Sequence, residues 1–315
     1  MPLIDVSIII VSWNTKDLLL DCLQSIPASV GDKTFEVLVV DNGSKDGSPK
    51  AMRDFFPDVI LFSNPDNAGF ARANNQAARQ AVGRYLFFLN PDTIALPRAI
   101  QSLVEYADEN QDLGVLGPRI INPDNSLQRS VWREYPGIRN ALVDALYLWK
   151  VPWLPFAHAN EYTSQDLVKP CDVGHLLGAG LLIRRQTWQQ IGPFDEKYFL
   201  FLEETDFCYR AKHEGWRIIY YPYSEIIHFG RQSVIQQPLE SYPHLYRNYC
   251  HFYRKNNPNN QTGMFAIKII IAIASFIRVL IWAIRSLLSV NGDRRKQALK
   301  LSRGYWRVVS ELSGY

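Results

Sequence analysis

Acidic side chains fall in this chain at places where apolar runs stop. Tyr85-Leu-Phe-Phe-Leu-Asn-Pro-Asp-Thr93 carries apolar residues without alternation, then a proline and a carboxylate. Such a run reads as a strand buried on both faces, and Pro91, with no N–H to donate, ends its ladder. Asn90 and Asp92 then stand at the C-terminal edge, where open α/β sheets take ligands. A carboxylate there is a candidate ligand for a metal that carries phosphate, or a turn aspartate after a core strand. A second apolar run, Phe35-Glu-Val-Leu-Val-Val40, stops at Asp41-Asn42-Gly43-Ser44. Asp41 can accept from a ribose hydroxyl or a base N–H, or it can close an Asx turn. Farther on, Tyr198-Phe-Leu-Phe-Leu202 runs directly into Glu203, Glu204 and Asp206. Acids so placed open a helix from a dry edge and are stabilised by its N-terminus; on this pattern alone they are first-turn capping acids.

The elements that position these groups follow from periodicity. Val6–Val11 is β-branched and continuous, a central strand that ends at Ser12-Trp13-Asn14. The next helix runs from Thr15 or Lys16 to about Ile26, with Leu18, Leu19, Cys22, Leu23 and Ile26 on one face and Pro27 closing it. A helix opened by Ser48 or Pro49, a short strand Val59–Phe62 and turn chemistry over Asn64–Gly69 come next. Phe70–Ala81 is helical, and its alanines form a small-residue face that suits close packing on a sheet. Gly69 permits close backbone approach, and Arg72 and Asn74 stand at a helix start that favours phosphate. Alternatively, Asn74 and Asn75 bond neighbouring loops.

Strand and helix therefore alternate four times up to Leu89, which predicts a mostly parallel sheet with right-handed crossovers. Asn14, Asp41, Asn42 and Asp92 gather at one edge of it, the layout of a nucleotide site. No Gly-x-Gly-x-x-Gly follows the first strand, which counts against a dehydrogenase. Past the middle, Gly178-Ala179-Gly180 reads as a small-residue turn into a strand ending near Arg185, followed by a helix opened by Thr187. Gly215–Tyr221 is a further strand, and Glu225-Ile-Ile-His228 leads to Arg231 and Ser233.

The net charge of +3, from 34 Lys and Arg against 31 Asp and Glu, is too small to argue for nucleic acid. Cys22, Cys171, Cys208 and Cys250 are scattered without metal-type pairing and read as reduced cytoplasmic thiols. Met1–Asp5 has no basic stretch, so no signal peptide is expected.

Together the motifs carry a resemblance. Val6–Asn14, Val39-Val-Asp-Asn-Gly-Ser44, Asn67-Ala-Gly-Phe-Ala-Arg-Ala-Asn-Asn75 and Phe87-Phe-Leu-Asn-Pro-Asp92 resemble successive motifs of the inverting family-2 glycosyltransferases. These use nucleotide-diphosphate sugars and have the GT-A fold, an α/β fold with helices on both faces of the sheet. The forms found here look like the bacterial rhamnosyltransferase-like branch. The resemblance covers roughly residues 5 to 255 and implies a role for each site. Asp41, with Asn14 and Asn42 nearby, would hold the nucleoside, and Gly69, Arg72, Asn74, Asn90, Gly178, Ala179 and Arg231 would line the rest of the donor site. Asp92 and His228 would hold Mg2+ or Mn2+, with Asn90 standing where the family's usual Asp-x-Asp motif has a first acid. The segment at Glu203 looks like the family's Glu-Asp-x-Asp region, which makes Glu204 the general base and Glu203 and Asp206 the lesser candidates. The implied reaction moves one sugar, best taken as rhamnose from dTDP-rhamnose, to a glycan or lipid-linked acceptor in O-antigen or cell-wall polysaccharide synthesis. The alternatives are a UDP-galactofuranose or UDP-hexose donor, or a protein that binds sugar nucleotides without turnover.

The stretch Ser126–Lys169 is hard to periodise; Trp132, Arg133, Trp149 and Trp153 suit either an acceptor site or an ordinary core. From Met264 to Val290 the chain is apolar, broken by Lys268, Arg278 and Arg285. Helical geometry puts those charges on one stripe, Arg278 and Arg285 lying about 280° and about 260° round from Lys268. An amphipathic helix on the cytoplasmic face of the inner membrane is expected, peripheral rather than spanning, with the basic residues after Asp293 adding attraction to anionic lipid. The other reading packs this helix on the domain or on a second copy in a homodimer. The domain plan is a catalytic domain over 1–255, with donor and acceptor halves meeting near residue 120, and a membrane-associating segment over 256–315.

Overall fold

The computed structural model describes residues 4–151, 153–160, 162–163, 165–230, 238–289 and 291–315. Its strands are β1 (Val6–Ser12), β2 (Phe35–Asp41), β3 (Ile60–Ser63), β4 (Tyr85–Leu89), β5 (Thr93–Ala95), β6 (Leu113–Ile121), β7 (Val131–Trp132), β8 (Cys171–Asp172), β9 (His175–Leu176), β10 (Gly180–Arg184) and β11 (Arg217–His228). Its helices are α1 (Lys16–Val30), α2 (Ser48–Phe55), α3 (Phe70–Ala78), α4 (Ala99–Glu109), α5 (Ile138–Ala145), α6 (Pro155–His158), α7 (Arg185–Ile191), α8 (Glu203–His213), α9 (Pro238–Asn256), α10 (Gln261–Leu288) and α11 (Gly292–Glu311).

The main sheet is nine-stranded, ordered β3-β2-β1-β4-β10-β6-β11-β5, with β8 paired to β11. β3, β2, β1 and β4 are mutually parallel, as the alternating pattern predicts, whereas β10 inserts antiparallel between β4 and β6. β1 and β4 carry unbroken apolar runs because each strand feeds two cores. Ile8, Ile10, Tyr85, Phe87 and Leu89 face the layer of α1 and α4. Ile9, Val11, Leu86 and Phe88 face the layer that holds the α3 alanines and Phe207. The register sets Ser12 beside Asp41 and Asp41 beside Ser63, so the parallel half ends in one polar edge.

Several local expectations change: α3 stops at Ala78 rather than Ala81, and α7 begins at Arg185 rather than at Thr187. α1 runs through Pro27 to Val30 instead of stopping; Ile26 and Val30 are buried, so the last turn is held by packing, and Gly31, at φ +59°, ends it. A short strand, β5, starts directly after Pro91-Asp92. The expected strand Gly215–Tyr221 starts only at Arg217, and with residues 225–228 it lies on one strand, β11, whose register with β6 shifts between Tyr221 and Glu225.

The chain forms two compact units: residues 1–133, 161–199 and 203–230, which hold the sheet, and residues 134–160, 200–202 and 231–315. Residues 238–256 therefore pack with the C-terminal helices rather than with the sheet. In the helical unit, Ala141, Cys250, Tyr253, Ile267, Ile271 and Val308 form the core. The stripe of α10 that carries Arg278 faces this core, contrary to a helix that turns its charges to water. Arg278 is 5% exposed and donates to the hydroxyls of Tyr147 and Tyr246 and to the carbonyls of Asp144 and Ala145. Those carbonyls end α5, where a cation is favoured. The opposite face of α10 is apolar and open: Ile273, Leu280, Ile284 and Leu287 are 54%, 49%, 54% and 78% exposed.

Candidate active site

The polar edge of the parallel strands holds the first group of predicted residues. Asp41 is buried; its Oδ2 accepts from the Ser44 amide at 3.0 Å, while its Oδ1 is buried with no partner. Half of this carboxylate closes the turn and half is left for a donor hydroxyl or N–H. Asn14, at φ +52°, is a turn residue: its amide donates to Ser44 Oγ and its Oδ1 accepts from the Lys45 amide, tying the β1 loop to the β2 loop. The Asn42 side chain is spent within the protein, accepting from Asn64 and donating to Asn67 and the Gly69 carbonyl.

The α3 N-terminus also differs from the phosphate cradle expected of it. Gly69, at φ +86°, does permit a close approach, but the chain itself makes it: a Cβ there would lie 2.7 Å from the Phe199 carbonyl oxygen. That carbonyl accepts from the Phe70 amide at 2.7 Å. Asn74 donates back to the Phe70 carbonyl, and Asn75 pairs with the main chain of Phe194 in both directions. Their amides do structural work here. Arg72, in the first turn of the helix, is exposed.

At the end of β4 and the end of β11, the structure brings Asn90, Asp92 and His228 together. His228 Nε2 lies 3.4 Å from Asp92 Oδ1 and 3.4 Å from Asn90 Nδ2, and both Asp92 and His228 are largely buried. Neighbouring ligands on an octahedral cation held at 2.0–2.1 Å stand about 3 Å apart, so Asp92 and His228 are spaced to share one ion. Among the described residues no group of three His, Cys, Asp or Glu gathers. The donor set is thus a carboxylate and an imidazole, with an amide beside them, which suits a divalent ion that takes its remaining ligands from phosphate and water. Arg231, and Ser233 with it, lie outside the described residues.

The acids of α8 divide in role. Asp206 is fully buried and engaged, accepting from Arg210 Nε at 2.8 Å, so it is not the free base. Glu203 and Glu204 are hydrogen-bonded to each other, and each has an Oε2 that is buried without a partner. Burial, with the charge of Glu204 beside it, pushes the Glu203 carboxyl well above its ordinary range. Burial also raises Glu204, to about 7, against donated bonds from the amides of Glu204, Thr205 and Gly178 and from Glu203. Glu203 is therefore the neutral donor of the pair and Glu204 the group poised to exchange a proton near neutrality. Gly178 serves this carboxylate directly through its amide. The next residue, Ala179, accepts from the Asn90 amide at 3.0 Å.

The sequence profile described as "Glycosyl transferase family 2" matches residues 7–190, more than half of the chain. The chain belongs to glycosyl transferase family 2. The N-acetylglucosaminyl-diphospho-decaprenol L-rhamnosyltransferase of Mycobacterium tuberculosis is 31% identical over 223 residues, 66% of this chain and 70% of that protein. The rhamnosyltransferase WbbL of Escherichia coli is 25% identical over 236 residues, 72% of this chain and 84% of that one. Among solved structures, the Pyrobaculum calidifontis mannosyltransferase PcManGT, in complex with GDP-Man and Mn2+, superposes with a TM-score of 0.55 at 16% identity, covering 98% of this chain and 86% of that one. That likeness shows a shared GT-A fold.

One residue of this glycosyltransferase's site escaped the sequence. Gln128 Oε1 lies 2.6 Å from His228 Nδ1, and Gln128 Nε2 donates to Asn122 Oδ1 at 2.9 Å. With its amide nitrogen so committed, Gln128 presents its oxygen and accepts from Nδ1–H, which leaves the Nε2 lone pair facing Asp92. Gln128 stands in the stretch without periodicity, and no local pattern marks a partner 100 residues away.

Proposed function

We propose that this family-2 glycosyltransferase is an inverting enzyme that moves one rhamnose from dTDP-rhamnose to a polyprenyl-diphosphate-linked acceptor. It would work at the cytoplasmic face of a bacterial membrane, in O-antigen or cell-wall polysaccharide synthesis. The observation that carries the chemistry is the Glu203–Glu204 pair: a carboxyl raised to about 7 is matched to taking a proton from an acceptor hydroxyl at neutral pH. Glu203 stays protonated, donates to Glu204 and so keeps the base oriented. Freed of its proton, the acceptor oxygen attacks the anomeric carbon from the face opposite the diphosphate, which inverts the configuration. Asp41, through its unpartnered oxygen, orients the nucleoside, and Arg72 offers a charge to the diphosphate. Asp92 and His228 would hold Mg2+ or Mn2+, which neutralises the leaving diphosphate when bound. The choice of rhamnose rests on the two rhamnosyltransferase relatives, and that of a lipid-linked acceptor on the Mycobacterium tuberculosis one.

The C-terminal helices support the membrane reading. α10 has 28 residues and is long and apolar enough to cross a bilayer. Arg278, held midway along it by tyrosine hydroxyls and the end of α5, instead commits one side of the helix to protein. The outward side, lined by Phe265, Ile273, Leu280, Ile284 and Leu287, suits burial in the acyl boundary, and the basic run of Arg294, Arg295, Lys296, Lys300 and Arg303 on α11 suits anionic headgroups.

The decisive experiment incubates purified protein with dTDP-rhamnose and N-acetylglucosaminyl-diphospho-polyprenol in phosphatidylglycerol vesicles, with and without Mn2+. Release of dTDP and a rhamnosylated lipid are expected, while Glu204→Gln binds donor without turnover. Full turnover by Glu204→Gln overturns the base; stabilisation by a UDP-sugar and not by dTDP-rhamnose overturns the donor.

A further inference from the structure

The peptide that leads into α8 is bent in a way bulky residues resist. Phe201 and Leu202 lie side by side in the left-handed region, at φ +75° and +70°. There the Cβ of an L-residue crowds the following carbonyl, and only glycine, with asparagine and aspartate after it, settles there routinely. Neither residue is of that kind, so the conformation is imposed from outside the turn.

Asn248, on α9, is what imposes it. Its side chain is buried, at 2% exposure, and its Nδ2 donates to the Leu200 carbonyl at 2.8 Å and to the Phe201 carbonyl at 2.9 Å. Both partners can only accept, so both bonds require the amide's NH2. The carbonyl before them, on Phe199, is already taken by the Phe70 amide. Three successive carbonyls are thereby fixed immediately ahead of α8. Residues 200–202 pack in the same unit as Asn248, and the next residue in the chain is Glu203.

We propose that Asn248 is a positioning residue for glycosyl transfer: by locking the left-handed Phe201-Leu202 turn it sets the direction in which Glu203 and Glu204 leave that turn. The proposal rests on the reading of Glu204 as the base. It gives α9, which lies beyond the residues matched by the family profile, a part in catalysis. Small displacements of a base cost up to about a hundredfold in rate without altering donor contacts.

The test uses full-length protein in the vesicle assay. Asn248→Asp keeps the shape of the side chain but has at most one hydrogen to give, when protonated, where the two carbonyls take two. It is expected to lower kcat by about tenfold to a hundredfold, to leave the donor KM within about twofold, and to change the pH profile of kcat. Leu202→Gly, which accepts a positive φ without strain, is expected to restore part of the lost kcat in the Asn248→Asp background. If Asn248→Asp does not fold, Asn248→Ser, which keeps one donor, carries the same comparison. Unchanged kcat overturns the proposal, as does a kcat loss that tracks lower thermal stability and is not restored by Leu202→Gly. Glu204→Gln is run beside them. If it is inactive while Asn248→Asp turns over normally, this inference alone fails; if it is active, the assignment of the base fails first.

Discussion

The pH dependence of turnover is the sharpest consequence of the buried glutamate pair. A base with a pKa of about 7 is about half ionised at pH 7, about one-tenth at pH 6 and about nine-tenths at pH 8. With the ionised form active, log kcat should climb with a slope near one below neutrality and level off above it. An ordinary glutamate would already be flat there, so the two cases differ by about tenfold at pH 6. The neighbour supplies a second handle. Glu203 donates a hydrogen bond that holds Glu204 down, against the burial that pushes it up. Glu203→Ala removes that donor, and the break should move to higher pH. Glu203→Gln keeps a donor, and the break should stay near neutrality. The assay is nucleoside diphosphate release at saturating donor, run from about pH 5.5 to about pH 9 with Mn2+ held constant. A profile flat from pH 5.5 upward, or a break that moves the same way in both variants, refutes the assignment of proton donor and base.

The same shift has a sign for stability. Because the folded pKa of Glu204 lies above the unfolded one, the stabilisation is present at low pH and is lost as pH rises through about 7. Urea midpoints of wild type and Glu204→Gln should therefore diverge as pH rises from about 5 to about 8, the variant losing less. Gln128→Leu frees the His228 ring; Mn2+ affinity read by electron paramagnetic resonance should fall by about tenfold to a hundredfold, with the fold intact. Asp41→Ala should raise the donor dissociation constant on the order of tenfold and leave the break in kcat with pH in place, since only the nucleoside contact is lost. Arg278→Met strips the buried Tyr246 hydroxyl and two α5 carbonyls of their donor, at about 2–4 kcal/mol by urea unfolding. Ile284→Asp places a charge on the open face of α10 and should shift the protein from pelleted vesicles to the supernatant.

How much of this was legible follows the range of the interactions. β1 to β4 and their helices are written in local periodicity, and Pro91 marks where the polar edge begins. Asp92 and His228 were found by motif and do meet. The periodicity of α10 groups Arg278 with Arg285 by angle, yet Arg278 is buried and Arg285 exposed: spacing alone does not say which charge faces water and which protein, and the tyrosines that receive Arg278 are far away in the chain. Asn42 and Asn74 matched a motif, yet their amides satisfy the protein's own backbone and side chains. Gln128 and Asn248 act through single long-range bonds, which leave no periodic trace. β5, only three residues long, is too short to show an alternation.

The Gly178-Ala179 step has a wider consequence. One of these residues gives its amide to Glu204 and the next receives the amide of Asn90. In the proposed reaction a single dipeptide therefore spans the two ends, the oxygen being activated and the phosphate departing. Chemistry fastened to main chain in this way does not depend on which side chains surround it. Gln128 aside, a change of side chain in the stretch from Ser126 to Lys169 leaves both main-chain bonds in place, and the distance between them is inherited unchanged. Diversification of glycan structure in such an enzyme calls for new loops and leaves the reacting centre as it was.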